Sequence, residues 1–212
     1  MGTLFVDNIK HESAQGSGTI TIGASGETVA LASGASASGN FGNLVLLNTV
    51  TTTDATTTNI DFDSTYITST YKNYLVLANV KPATDNVQLR IRFFVSGSIK
   101  SGASDYGVGT RDEGGGGTND NDISYLLGSQ TAQGNATGEG TSGNYYFFNL
   151  TSSTFPSQMT FTASGMNSSH LHNLVMGGGA ANYELANDGI RFFYSSGNFA
   201  SGSEISLYGV KS

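Results

Sequence analysis

The chain contains no cysteine and no tryptophan, only 2 prolines, and 12% charged residues. Without cysteine there is no disulfide, no thiolate-ligated zinc and no cysteine nucleophile, so stability must come from packing or assembly. Lys and Arg number 9 against 16 Asp and Glu, a formal charge of −7. That balance argues against a phosphate-backbone partner, which needs a clustered basic surface, so nucleic acid is not expected. Long apolar runs are also missing. Leu44–Leu47 is the longest near the start, far short of the ~18 residues that suggest a membrane span. The opening MGTLFVDNIK lacks the basic start and apolar stretch of a secretory signal, and Val6 stands where a myristoylation motif places Ser or Thr. No membrane insertion is expected.

What the chain does hold is glycine and aromatics: 29 Gly, 12 Phe and 10 Tyr among 212 residues. This composition favours turns and strands over helices, and the length allows one main domain with an appendage. From about Leu44 onward strand follows strand. In VQLRIRFFV, Val87, Leu89, Ile91 and Phe93 share one face while Gln88, Arg90 and Arg92 share the other. Further strands are predicted over 43–50, 60–66, 73–80, 123–127, 144–150, 158–163, 171–176, 190–194 and 205–210. Such a number suits a two-sheet sandwich or jelly roll. Two glycine-rich stretches, 96–121 and 128–143, read as long loops, either functional or plain surface excursions. IRFFVSGSIKSGASDYGV (91–108) is echoed by IRFFYSSGNFASGSEISLYGV (190–210), which reads as two related strand-turn-strand corners.

The first 43 residues differ in kind. Ile20 and Ile22 recur nine residues later as Val29 and Leu31, set among Gly, Ser and Ala. Burying two medium side chains gains ~2 kcal/mol each, against ~1–2 kcal/mol of backbone entropy for every residue fixed. Such a ribbon does not fold alone, but copies of itself can complete it. The expectation is a trimer with an extended N-terminal β shaft or attachment segment (1–43) and a β-sandwich, jelly-roll-like head (44–212); a flexible linker is the alternative.

The opening TLFVDNIKHESAQGSGTITIGASGETVAL, the middle YKNYLVLANVKPATDNVQLRIRFFVSGSIKSGASDYGV and the ending GIRFFYSSGNFASGSEISLYGV together resemble the short fibre, appendage and receptor-binding proteins of tailed bacteriophages. That resemblance implies a virion component made in the host cytoplasm, homotrimeric, contacting other virion proteins. It implies attachment to the particle through Thr3, Leu4, Phe5, Val6, Asp7, Asn8 and Ile9, with the head meeting a host-surface glycan or protein. A purely structural decoration of head or tail, and a glycan-binding or glycan-cleaving module, are the alternatives.

Motifs for enzymatic chemistry are weak, and no enzyme is expected. Gly138, Gly140 and Gly143 match GxGxxG but precede an aromatic strand rather than opening a helix, so no phosphate cradle is formed. Asp61 and Asp63 share one side of a strand, either as an acid–base pair or as a solvated face. Asp112, Glu113, Asp120 and Asp122, with the side-chain oxygens of Asn119 and Asn121, gather in one glycine-rich loop, which reads as an acidic solvated loop with an irregular Ca2+ site as the alternative. His170 and His172 point the same way if extended. Around a threefold axis they would present six imidazoles to a transition metal, as in some phage fibre tips, while a surface turn is the plainer reading. No other cofactor is expected. Tyr106, Tyr145, Tyr146 and Tyr183 lie in or beside the long loops and are the candidates for stacking on sugar rings.

Overall fold

The computed structural model describes residues 43–129 and 132–211. The shaft and attachment residues 1–42, including Thr3–Ile9, lie outside the described residues. Every regular element described is a strand: β1 (Leu44–Thr51), β2 (Asn59–Phe62), β3 (Asn73–Val80), β4 (Leu89–Val95), β5 (Ser98–Ile99), β6 (Tyr106–Asp112), β7 (Asn119–Ile123), β8 (Leu126–Leu127), β9 (Gly140–Phe148), β10 (Gln158–Met166), β11 (His172–Ala181), β12 (Gly189–Tyr194) and β13 (Glu204–Val210). All pairings are antiparallel. A large sheet runs β1-β13-β3-β9-β10-β11-β6-β7, and a small one runs β2-β12-β4, with β5 and β8 both pairing with β4.

The chain crosses repeatedly between the sheets. β1, β3, β9 and β13 belong to the large one, while β2, β4, β8 and β12 belong to the small one. Alternation explains why each strand faces as it does. Tyr74, Val76, Ala78 and Val80 of β3, and Tyr145 and Phe147 of β9, point inward from the large sheet. Leu89, Ile91 and Phe93 of β4, and Ile190, Phe192 and Tyr194 of β12, meet them from the small one. Aromatic edges lock the layers: Phe93 lies 6.0 Å from Phe147, and Phe192 lies 5.6 Å from Tyr145, both edge-on. These are the near-perpendicular geometries favoured by ring quadrupoles.

The stretches read as loops also contain strands. Residues 96–121 contain β5, β6 and the start of β7, and 128–143 contains the start of β9. Only two apolar side chains of β6, Tyr106 and Val108, turn inward, too few to give an alternation signal among glycines. The GGGG run is the turn of a hairpin. Gly115 N–H donates to Asp112 O, and Gly116 N–H donates to the Asp112 carboxylate at 2.7 Å. β11 carries Gly177 and Gly179 on its inner face, where a Cβ would collide with Phe161 and with Leu126 and Val108 respectively. Glycine here lets the core reach the backbone.

Candidate functional site

Across the large sheet, outward positions align in rows set by the register. One row runs Leu46–Tyr208–Leu75–Tyr146–Thr160–Gly178–Gly109–Asn119, and the next runs Leu44–Val210–Asn73–Phe148–Gln158–Ala180–Gly107. Tyr146 and Phe148 stack at 6.1 Å and an interplanar angle of 20°, forming a ridge along β9. Beyond it lies a trough of about 470 Å³, lined by Gly107, Gly109, Gln158, Thr160, Gly178, Ala180, Asn119, Asn121 and Asn182 among others.

The trough exists because its floor has almost no side chains. Gly109 faces open space, since a Cβ added there meets nothing within 4 Å. Its far wall is made of amides. The period of two along Asn119-Asp120-Asn121-Asp122 pairs Asn119 with Gly109 and Asp120 with Val108. Asn121 carries its Oδ1 to the Gly107 floor. Asn182 braces this wall, its Nδ2 donating to Asn121 O at 2.7 Å and to Ser104 O at 3.1 Å. No ionisable side chain lines the trough. An aromatic ridge, hydroxyl and amide side chains and a flat backbone floor offer stacking plus neutral hydrogen bonding.

Of the four candidate tyrosines, only Tyr146 serves such a surface, at 37% exposure. Tyr106 and Tyr145 are core residues, which removes them as sugar-stacking groups. The Tyr106 hydroxyl accepts from Phe93 N–H at 2.8 Å and donates to Lys100 O at 3.1 Å, and the Tyr145 hydroxyl donates to Gly128 O at 2.8 Å. Burial pushes the Tyr106 phenol up to about 12 and drives Tyr145 and Tyr183 higher still. Tyr183 is partly buried against Tyr106, donates to Asn187 Oδ1 at 3.0 Å and carries the Lys100 ammonium over its ring at 4.8 Å. It is a packing residue.

The six candidate metal ligands do not converge. His170, at φ 55, places Nδ1 3.4 Å from Glu139 Oε1, whereas His172 places Nδ1 3.4 Å from Glu113 Oε2. Two neighbouring histidines thus serve different acids. The Asp112 carboxylate closes the hairpin turn, and Asp120 Oδ1 accepts from Asp122 N–H at 3.0 Å. Among the described residues no group of three or more His, Asp or Glu stands close enough to hold a metal ion. Asp61 is taken by Arg191 in a two-pronged pair at 2.7 and 2.5 Å, and Asp63 accepts from Thr65 N–H at 2.9 Å. These carboxylates do not act as a pair.

A second cavity of about 450 Å³ lies at one end of the strands, lined by Asn79, Lys81, Glu139, Thr141, Ser142, Ser164, His172 and Ser203 among others. At its rim Ser164 Oγ lies 2.9 Å from His172 Nε2, and Glu113 stands behind the ring. The order is that of nucleophile, base and orienting carboxylate. However, Ser164 sits inside β10, paired on both sides with Ser142 and Leu174. Its neighbouring amides are spent in the ladder rather than aimed at an oxyanion. With the His172 and Glu113 side chains 57% and 47% exposed, the relay is a surface hydrogen-bond chain.

Sequence reasoning reaches Asn119 and Asn121 only as oxygen donors of the acidic loop, and misses Gln158, Thr160 and Gly109. The alternation of Asn with Asp over 119–122 was the available signal, hidden by treating the segment as a loop. Comparison with protein-family models, with curated proteins and with solved structures gave no match.

Proposed function

We propose that this chain is a structural protein of a bacteriophage virion, a homotrimeric tail fibre or appendage whose head binds a host-surface glycan in the trough of the large sheet. The trough carries the reading. It combines an exposed aromatic ridge with amide and hydroxyl groups on an uncharged floor, which fits the alternating apolar faces and hydroxyl edges of a neutral sugar chain. The strand orders β1-β13-β3-β9 and β2-β12-β4-β8 support a two-sheet jelly roll, an architecture used by viral capsid and lectin domains. Strands β5–β7 and β10–β11 are insertions into it, and they build most of the trough. The resemblance of the opening and ending segments to phage fibre proteins supports the virion assignment and attachment through residues 3–9.

Purified protein is expected to compete with phage for adsorption to host cells, and Tyr146→Ala protein to compete about tenfold less well, the loss expected for one aromatic stacking contact. Unchanged adsorption at saturating wild-type protein would leave a purely structural appendage in its place.

A further inference from the structure

The other half of the same outer face is apolar. On β1, β13 and β3 the three adjoining outward rows are Leu44–Val210–Asn73, Leu46–Tyr208–Leu75 and Thr49–Ser206–Leu77, without a charged side chain among them. Leu46 is 56% exposed, Leu44 47% and Leu77 44%. β1 is also the last strand of its sheet. Monomeric proteins guard such edges with lysine, proline or a covering segment. LVLLNTVT holds neither a charge nor a proline, and its far edge is unpaired among the described residues.

We propose that this leucine face, together with the open edge of β1, is the surface on which a second copy of this chain docks. The inference deepens the homotrimer reading and rests on it. Three observations favour a copy of the same chain. The protein carries a formal charge of −7, so copies repel except where a face holds no charge, as here. The 42 residues before Asn43 join the head beside Leu44, so a copy docked on this edge brings the two points of attachment together. Those segments carry the alternating apolar residues Ile20, Ile22, Val29 and Leu31, too few to bury a core alone. The face itself is modest. At ~4.8 Å between strands and ~6.8 Å between successive outward residues, it spans roughly 300–400 Å², about half of the ~800 Å² per partner of a standard interface. The unpaired β1 edge adds main-chain hydrogen bonding to that area.

The full chain is tested by light scattering across a dilution series beside Leu46→Glu. Wild-type protein is expected to be oligomeric at micromolar concentration. The variant should dissociate at a concentration about 100-fold higher, with an unchanged far-UV spectrum, because a carboxylate is stranded in an apolar contact. A wild-type oligomer whose variant keeps the same mass overturns the docking surface but leaves the homotrimer standing. A wild-type monomer overturns both. Since the chain has no cysteine, Leu46→Cys adds a single thiol as an independent readout should the glutamate variant misfold. Protection of that thiol that is lost on dilution supports a second copy. Protection that survives dilution, or no protection at any concentration, overturns it.

Discussion

One outer sheet face carries two chemistries. On β1, β13 and β3 it presents uncharged rows that hold Leu44, Leu46, Leu75 and Leu77, whereas on β10, β11, β6 and β7 the row of Leu46 continues as Thr160, Gly178, Gly109 and Asn119. The ridge of Tyr146 and Phe148 divides them. Both halves share one inner face and one core, so the difference is one of the outer side chains. The leucine half belongs to the eight strands that alternate between the sheets, and the glycine half is mostly inserted strand. With the occupants proposed above, side chains are absent on one half to make room for a sugar and kept on the other to be covered by a second copy.

The largest effect expected on the fold comes from erasing the difference between the two faces of the glycine half. Gly179 points inward, and a Cβ there overlaps Gly107 O and Leu126. Gly179→Val should lower stability by about 3 kcal/mol or more, since overpacking against backbone has no rotamer to relieve it. Urea denaturation checks this, and a loss below about 1 kcal/mol would mean that the packing of β11 on the core does not depend on glycine.

Beneath both halves lie buried phenols. Tyr106 under the glycine half has its hydroxyl pushed up to about 12, and Tyr74 under the leucine half is also raised, in each case chiefly by burial. A group that titrates higher folded than unfolded contributes stability that is whole below the unfolded value of about 10 and is lost as pH rises toward the folded one. For Tyr106 that loss is about 2–3 kcal/mol between pH 10 and 12. Alkaline melts should therefore show midpoints nearly flat below pH 9 and falling above pH 10. Tyr106→Phe should flatten the fall, though losing the hydroxyl that accepts from Phe93 N–H lowers stability at neutral pH by about 1–2 kcal/mol.

Within the leucine half, two outward residues separate fold from docking. Leu75 is only 6% exposed, flanked by Tyr208 and Tyr146 in its row, whereas Leu77 is 44% exposed. Leu75→Ala should cost the head about 2 kcal/mol, and Leu77→Ala less than about 0.5 kcal/mol under conditions that dissociate the oligomer. Equal losses would show that the aromatic flank does not bury Leu75.

Much of the inner face was legible beforehand, because Leu89, Ile91 and Phe93 alternate with arginines over a full strand and nothing else accounts for period two. Strand β6 was not, since its inward residues are only Tyr106 and Val108 and its outward ones include Gly107 and Gly109. Glycine carries no hydropathy signal, and runs of it read as loop. The same blindness concealed the trough, whose defining feature is missing side chains. Tyr145 and Tyr146 illustrate the limit sharply. Adjacent and identical in type, they part to core and surface by strand parity, which a sequence reading fixes only after the strand's register is known. Histidines at 170 and 172 failed for a related reason. The extended geometry that would align them is broken by the left-handed turn at His170.

The gentlest change to the fold is the sharpest test of the comparison. Gly109 sits in the trough floor, paired to Gly178 and Asn119, with open space where its side chain would stand. Gly109→Trp places a bulky ring in the trough without meeting a neighbour at its Cβ, and its strand position favours aromatic residues. Stability should change by less than about 0.5 kcal/mol, and the oligomer should be untouched because the leucine half lies across the ridge. Glycan binding should fall below detection, by adsorption competition or by calorimetry against host-surface polysaccharide. If binding survives a filled trough, the sugar lies elsewhere, and the end cavity bordered by Lys81, Ser164 and His172 becomes the place to substitute next.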